Sequence, residues 1–360
     1  MSETIQGVCL LMCPEKERWI REREGLLHRF EIDENTKEMK FPKADPMKTI
    51  KCFSRPAAGL NMTDPHQLRP ASVLLSTVRY LFTRIATRSD VDWVVIYDFI
   101  FDRLRAIRQD TAIQRIDAHT NIQLLEQIVR FLVYSSQRLC ERPLVEFNAK
   151  INDQHIGECI RSLIALYDTQ TMTDSDELNS SLGILAKCMG ELSLNADRQQ
   201  MEALYILLNI GDTEVLKRAI RLPLNLRRSM EVHLALEISF AWYLRNYVRV
   251  CSLIPRLHPI LICAAMTNIQ KLRRTALKVM SLGYNSKVLT FPGLKLQQLL
   301  LYNDIDKVRA DCELFGLTFT EQNILFQKTN FNDNVELAHP EMYYSQRCLH
   351  SFLPRILLDA

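Results

Sequence analysis

The feature that most constrains this chain is a run of apolar residues at helical spacing with almost nothing to interrupt it. In residues 91–115, Ile96, Ile100, Leu104 and Ile107 fall at i, i+4, i+8 and i+11, the stripe of a buried helix. Phe99 and Phe101 widen that stripe. Ser89 reads as the N-cap, with Asp92 as its capping-box partner. Asp98, Asp102, Arg105 and Gln109 form a second face, and Arg103, Asp110 and Gln114 a third. Exposed Asp-to-Arg pairs at these spacings would give only ~0.2–0.5 kcal/mol each. Enclosed arginines would instead have to grip carboxylates or carbonyls of another segment, because an unpaired buried charge is costly.

The rest of the chain repeats the helical grammar. Pro70 suits a first helical position, and Leu74, Val78, Leu81 and Ile85 follow as a stripe. Thr120 with Gln123 forms a capping box before Ile122, Leu125, Val129 and Leu132. Asn152 or Asp153 is expected to cap Ile156, Ile160 and Leu163, and Asp174 or Ser175 to cap Leu178, Leu182, Leu185 and Met189. Asn195 precedes Met201, Leu204 and Leu208, and Asp212 starts a short helix stopped by Pro223. Leu234, Ile238 and Ala241 mark a helix with its exit turn at Asn246-Tyr247. A last one spans 259–282, with Gly283 as its stop. Only 10 of 360 residues are glycine, against an average of ~7%, which leaves few tight turns for sheet. No 34-residue period survives, so the expectation is an irregular stack of helix pairs rather than a strict tetratricopeptide array.

The pattern changes after residue 288. Two helices, at 291–303 and 304–316 with Asp304 as cap, precede two short strands in 317–331 around a polar turn at 321–323. That is a winged helix. The expected organisation is an N-terminal motif segment at 1–69, a helical body at 70–287, the winged helix at 288–335 and a tail at 336–360. Residues 31–67 carry Pro42, Pro46, Pro56 and Pro65 with little periodicity, and should run extended over the helical body. The fold class is therefore all-α: an irregular tetratricopeptide-like, PCI-like helical stack ending in a small winged helix.

Four motifs carry a resemblance: GVCLLMCPEKERWIRERE (7–24), KCFSRPAAG (51–59), LRPASVL (68–74) and FDRLRAIRQD (101–110). Their order, spacing and identity together resemble the SAC/GANP family of helical scaffolds, associated with messenger-RNA export at the nuclear pore. The resemblance supplies Cys9, Cys13, Pro14, Arg18, Phe53, Arg55, Ala58, Gly59, Leu68, Arg69, Pro70, Asp102, Arg103, Arg105, Arg108, Gln109 and Asp110 as motif positions. It implies partners of two kinds, a PCI-type scaffold subunit and a small acidic peptide-like subunit. The long N-terminal repeats and centrin-binding helix of large members are missing from these 360 residues, so the chain is more similar to the short members linked to centrosome duplication, spindle organisation and mitotic progression. The alternative is a messenger-RNA export adaptor that touches nucleic acid through the winged helix.

Chemistry beyond binding finds no support. There is no H-E-x-x-H, Walker loop, G-x-S-x-G or G-x-G-x-x-G, so no catalytic site and no cofactor are expected. Cys9, Cys13, His28 and Cys52 lack a closed zinc spacing and read as packed, neutral side chains. Ten cysteines without a secretory signal point to free thiols in a reducing compartment, hence an intracellular chain of nucleus and cytoplasm, with centrosome and spindle as further sites. No apolar run approaches ~18 residues, so no membrane insertion is expected.

A net charge of +3 is too small to imply nucleic acid by itself. Basic clusters at Lys217, Arg218, Arg221, Arg227 and Arg228, and at Lys271, Arg273, Arg274 and Lys278, read as solvated faces. On the winged helix, Lys295, Lys307, Arg309 and Lys328 are candidates for weak, non-specific RNA or DNA contact. Trp19, Phe53 and Leu68 are expected to be buried against the central helix. The hairpin edge at 325–328, with Phe326, is expected to be open to a partner.

Overall fold

The computed structural model describes residues 5–56, 62–176, 197–336, 340–343 and 349–358, with side chains described outside 171–176. By internal contacts the chain falls into two compact units, Met1–Val129 with His350–Asp359, and Arg130–Leu349.

The first unit is built on α1 (Glu15–Arg23), α2 (Ala71–Tyr80), α3 (Trp93–Gln114) and the first half of α4 (Ala118–Arg138). Pro70 stands at the N-cap of α2, and a single π turn, Leu81–Ile85, prolongs the helix. The stripe Leu74, Val78, Leu81, Ile85 is buried, as is Ile96, Ile100, Leu104, Ile107 of α3. Asp92, rather than Ser89, caps α3, its side chain accepting from the Val94 N–H at 2.8 Å. Asp117 takes the same role before α4, accepting from Thr120 at 2.8 Å. In both cases the aspartate nearer the helix wins, because only the residue at the N-cap reaches the free N–H groups two and three positions on. The described residues between α1 and α2 are not simply extended: they include two 3-10 turns, Glu34–Thr36 and Pro65–Gln67, and are held by an antiparallel bridge Ile32↔Ala44 and by the ring cluster His28, Phe30 and Phe99. At the other end of the chain, α15 (Arg355–Leu358) buries Leu357, and His350 meets Trp93 edge to face.

In the second unit, α5 (Ala149–Asp176), α6 (197–208), α7 (Thr213–Ile220), α8 (Leu224–Arg227), α9 (Met230–Tyr243), α10 (Tyr247–Leu253), α11 (Pro259–Met266) and α12 (Ile269–Gly283) form the stack. Asn148, not Asn152 or Asp153, caps α5. Asn152 is buried inside the helix and donates to the Leu132 carbonyl at 3.1 Å. Asp174 and Ser175 lie within α5, while the helix expected over Leu178–Met189 and the Asn195 cap lie outside the described residues.

Asn246 is not an exit turn. It caps α10 by accepting from Arg249, after Arg245 has reversed the chain at φ 56°. The single helix expected over 259–282 is two helices, parted at Thr267-Asn268. Asn268 leaves helical geometry, and its buried amide donates to the Leu207 carbonyl at 3.4 Å. This is the local competition that makes asparagine a helix breaker. Gly283 is consequently the last helical residue and Tyr284 the cap.

The winged helix follows as β1 (Phe291–Pro292), α13 (Gly293–Leu299), α14 (Ile305–Leu314), β2 (Thr318–Thr320) and β3 (Asn323–Leu325), with Asp304 capping α14. The sheet is antiparallel in the order β1-β3-β2, so Ile324 faces both Phe291 and Phe319. Gly293 is obligatory at the β1–α13 junction, since a Cβ there would sit 2.8 Å from the Gln322 carbonyl oxygen.

The expected open edge at 325–328 is corrected by this order. β3 is the central strand, and Phe326 is 1% exposed, packed against Phe291 and Tyr284. The central strand pairs on both sides, which leaves β1 and β2 as the edges.

Candidate functional site

The N-terminal motifs converge on two buried carboxylates in the first unit. The chain enters at Gly7, whose N–H donates to Gln114 Oε1 at 2.8 Å. A Cβ at this position would lie 2.4 Å from the Leu68 carbonyl oxygen, so only glycine lets the backbones approach. Val8 and Cys9 then donate to the carbonyls of Pro65 and Leu68, and Lys51 to that of Met12. This lacing delivers three motifs to one point on α3. There Asp110 accepts from Lys51 Nζ at 2.6 Å and from Arg69 Nε at 2.8 Å, with Asp110 and Arg69 both fully enclosed. Arg69 Nη1 also reaches the Met12 carbonyl, Lys51 Nζ the Gln67 carbonyl, and Gln114 Nε2 the Arg69 carbonyl at 2.8 Å.

The second carboxylate is Glu31. It accepts from Arg103 of α3 at 3.0 Å, from Arg21 of α1, and from the backbone N–H groups of His28 and Ile50 at 3.1 and 3.0 Å. Arg21 Nη1 donates in turn to the Ile50 carbonyl at 3.0 Å. Burial in low dielectric strengthens these hydrogen bonds and makes the loss of any partner expensive. Together the two centres fasten a segment with little regular structure to a helix.

The remaining motif residues surround these centres. Asp102 accepts from the Phe53 N–H at 3.2 Å and from Arg103 at 2.6 Å, and Gln109 donates to the Ser54 carbonyl at 2.8 Å. The Arg105 guanidinium lies 3.8 Å from the Phe53 ring centroid, and Arg108 is half-buried. Arg18 pairs with Glu15 at 3.8 Å, Pro14 is the N-cap of α1, and Arg55 is exposed. Ala58 and Gly59 lie outside the described residues.

Leu68 is enclosed and Phe53 half-buried, but Trp19 is 67% exposed and corrects the expectation of burial. The cause is helical period. Glu17 and Arg21 share the inward face of α1, where Glu17 receives the Cys52 N–H and Arg21 meets Glu31, and this turns position 19 outward.

Burial holds the thiols neutral. Cys52 is pushed up to about 12, and Cys13 and Cys9 are raised for the same reason. Burial likewise pushes His28 down to about 4, which leaves it uncharged near neutral pH. Cys9 and Cys13 donate to the carbonyls of Leu11 and Pro14, and His28 Nδ1 accepts from the Phe30 N–H. Among the described residues, no three His, Cys, Asp or Glu side chains are grouped to hold a metal ion. Enclosed ionic centres of this kind fix a fold and present no reactive group to a substrate.

Sequence reasoning found α3 and its arginines. Arg21 and Lys51 lie inside the quoted motifs and Gln114 on the third face of α3, one helical turn beyond Asp110, but the sequence assigned them no partners. Glu31, between Phe30 and Ile32 in an aperiodic stretch, gave no signal.

On the winged helix of the second unit, Lys295, Lys307, Arg309 and Lys328 are all exposed. Arg309 stands 3.6 Å from Asp306 and covers the Phe319 ring at 5.1 Å, which leaves its charge partly engaged. Of the rings near these cations that could stack on bases, Tyr302 is enclosed and donates to Asp311 at 2.8 Å. Tyr284 and Phe291 pack on Phe326.

The cluster around Arg273 is not a solvated face. Arg273 is buried on α12, donating to the Leu300 and Leu301 carbonyls at 3.1 and 2.5 Å and to Glu341 at 2.9 Å. It also lies 3.7 Å over the Tyr302 ring. Arg274 and Lys278 both pair with Asp333. In the other cluster, Lys217 pairs with Glu214, and Arg218 with Glu202 and Asp168.

A helical stack that ends in a winged helix, with its ionic centres enclosed rather than presented at the surface, is the architecture of a helical scaffold. The chain belongs to the SAC3/GANP family, whose model matches residues 12–321. It is similar to SAC3 family protein 1 of Schizosaccharomyces pombe, 26% identical over 92% of this chain and 32% of the relative. Protein xmas of Drosophila melanogaster is 24% identical over 95% of this chain and 16% of the relative. SAC3 family protein B of Arabidopsis thaliana is 31% identical over 46% of this chain and 10% of the relative. The chain thus spans a third or less of the length of each of these relatives. No helix among the described residues is long and apolar enough to cross a membrane.

Proposed function

We propose that this chain is a non-enzymatic interaction scaffold acting inside the cell in centrosome duplication, spindle organisation and mitotic progression. The observation that carries the reading is the free edge of the wing. β1 contains Pro292, which lacks an N–H, and β3 is paired on both sides, so β2 is the strand able to accept another. Thr318 and Thr320 are exposed along it. Such an edge suits a PCI-type subunit that brings its own winged helix, while a small acidic peptide-like subunit would complete the assembly. Nucleus, cytoplasm, centrosome and spindle are the corresponding locations.

A second reading, a messenger-RNA export adaptor, draws on the four exposed basic side chains of the winged helix. Four contacts limit the salt dependence to a log–log slope of about −3.6 on duplex DNA, or about −2.8 on single strands. We expect weak, sequence-independent binding that is largely lost at physiological salt. Replacing Lys295, Lys307, Arg309 and Lys328 with Glu should abolish it without unfolding the chain, as judged by circular dichroism. Tight binding that resists salt and survives all four changes would favour the export reading.

A further inference from the structure

Of the cluster Arg221, Arg227 and Arg228, which takes no part in the ionic centres or the winged helix, Arg227 and Arg228 border a groove. Between α8 and α9 of the second unit lies an open cleft of about 300 Å³. Leu224, Leu236 and Phe240 form its apolar lining, with Arg227 and Arg228 on one rim and Glu237 and His233 on the other. Leu224 is 49% and Phe240 40% exposed, and Met230, on the first turn of α9, is 73% exposed. A helix that faces only water places charged or small polar residues at such positions. Here Leu224 of α8 and Phe240 of α9 stand half-exposed beside the buried Leu236, one turn before Phe240, as on an unfilled packing face.

The charge around the cleft selects the occupant. Arg227 and Arg228 line it against one carboxylate, Glu237. Glu237 is already met by Arg249 at 3.2 Å and by His233 at 3.9 Å. Arg227 donates to the Ile220 carbonyl, whereas Arg228 is exposed and has no ion-pair partner among the described residues. The uncommitted charge is thus positive, around an apolar floor. Single-stranded nucleic acid stacks successive bases on several rings, and Phe240 is the single ring of this lining.

We propose that the α8–α9 cleft docks an amphipathic helix of a partner protein, one that seats a Leu-type side chain on Phe240 and turns a glutamate-rich flank toward Arg228. This is helix-in-groove recognition with charge selecting the partner. The inference rests on the scaffold reading but not on the wing edge or the winged-helix cations.

The test uses the full chain and a fluorescent helical peptide of about 18 residues, five turns, with Leu at i, i+3, i+4 and i+7 and Glu elsewhere. Its controls are a scrambled peptide of the same composition and an oligouridylate. Anisotropy should show binding of the patterned peptide only, weakened about tenfold or more by Phe240→Glu and by Arg228→Glu. Arg228→Glu is a surface change, so it keeps the test interpretable if Phe240→Glu perturbs folding. The winged-helix quadruple Glu variant should bind the peptide normally. Equal binding of the scrambled peptide would overturn the inference, as would indifference to both cleft variants. Oligouridylate binding that Arg228→Glu removes would assign the cleft to nucleic acid and overturn it as well. Peptide binding lost only in the quadruple variant would move the site to the winged helix, overturning this inference while leaving the scaffold reading intact.

Discussion

Asp110→Ala is expected to destabilise the first unit by about 3–5 kcal/mol, the cost of leaving buried cations without their counter-charge. Lys51 and Arg69 both end on this carboxylate, and Arg69 is fully enclosed with no path to water. At about 2–4 °C per kcal/mol, the melting transition should fall by about 6–20 °C. Asp110→Asn keeps one acceptor oxygen and should lose less. Trp93, buried in the same unit, gives the fluorescence signal for the measurement. Glu31→Ala should behave alike, since Arg21 and Arg103 depend on it in the same way. If Asp110→Ala melted within 2 °C of the parent, at a scale of about 2–4 °C per kcal/mol, the ionic centre would be shown to have no part in holding the segment down.

Arg273 is the corresponding point in the second unit. Its fork serves the Leu300 and Leu301 carbonyls, at the turn between α13 and α14, together with Glu341 of the C-terminal segment. Leu301 sits at φ 56°, a left-handed conformation that a leucine holds only where its surroundings require it. Arg273→Ala strands two carbonyls and a carboxylate, and should cost about 3–5 kcal/mol. Arg273→Lys should recover little, because an ammonium cannot serve three acceptors in the planar geometry of a guanidinium. Hydrogen exchange should show α13 and α14 losing protection before α11. A lysine variant as stable as the parent would mean that charge alone matters here, and would contradict the fork geometry.

These two centres also mark where the sequence is legible. The stripe Ile96, Ile100, Leu104, Ile107 could be read because burial on one helix face leaves a periodic trace. Arginines flanked by Phe and Ile also announce enclosure, and Arg103 does meet a carboxylate of the N-terminal segment. Glu31 could not be read, because a residue in an aperiodic segment acquires its partners only through tertiary contact. Trp19 misled for the opposite reason. Its bulk suggests a core position, yet the inward face of α1 is taken by Glu17 and Arg21. Asn268 and Asn246 divide and cap helices by side-chain hydrogen bonds that residue spacing does not reveal. On the wing, the helix pair and hairpin were visible in the pattern. The pairing of Phe291 with Ile324 was not, since a two-residue strand leaves no alternation to detect. That pair moves β3 to the centre of the sheet and Phe326 into the core.

The scaffold reading is tested most directly by purifying the tagged full chain from mitotic cells and identifying the proteins retained at physiological salt. The account predicts a PCI-type subunit together with centrosomal and spindle proteins, with retention unaffected by nuclease and by the Lys295, Lys307, Arg309 and Lys328 charge reversals. Recovery of messenger-RNA export subunits alone, released by nuclease or by those four reversals, would contradict it.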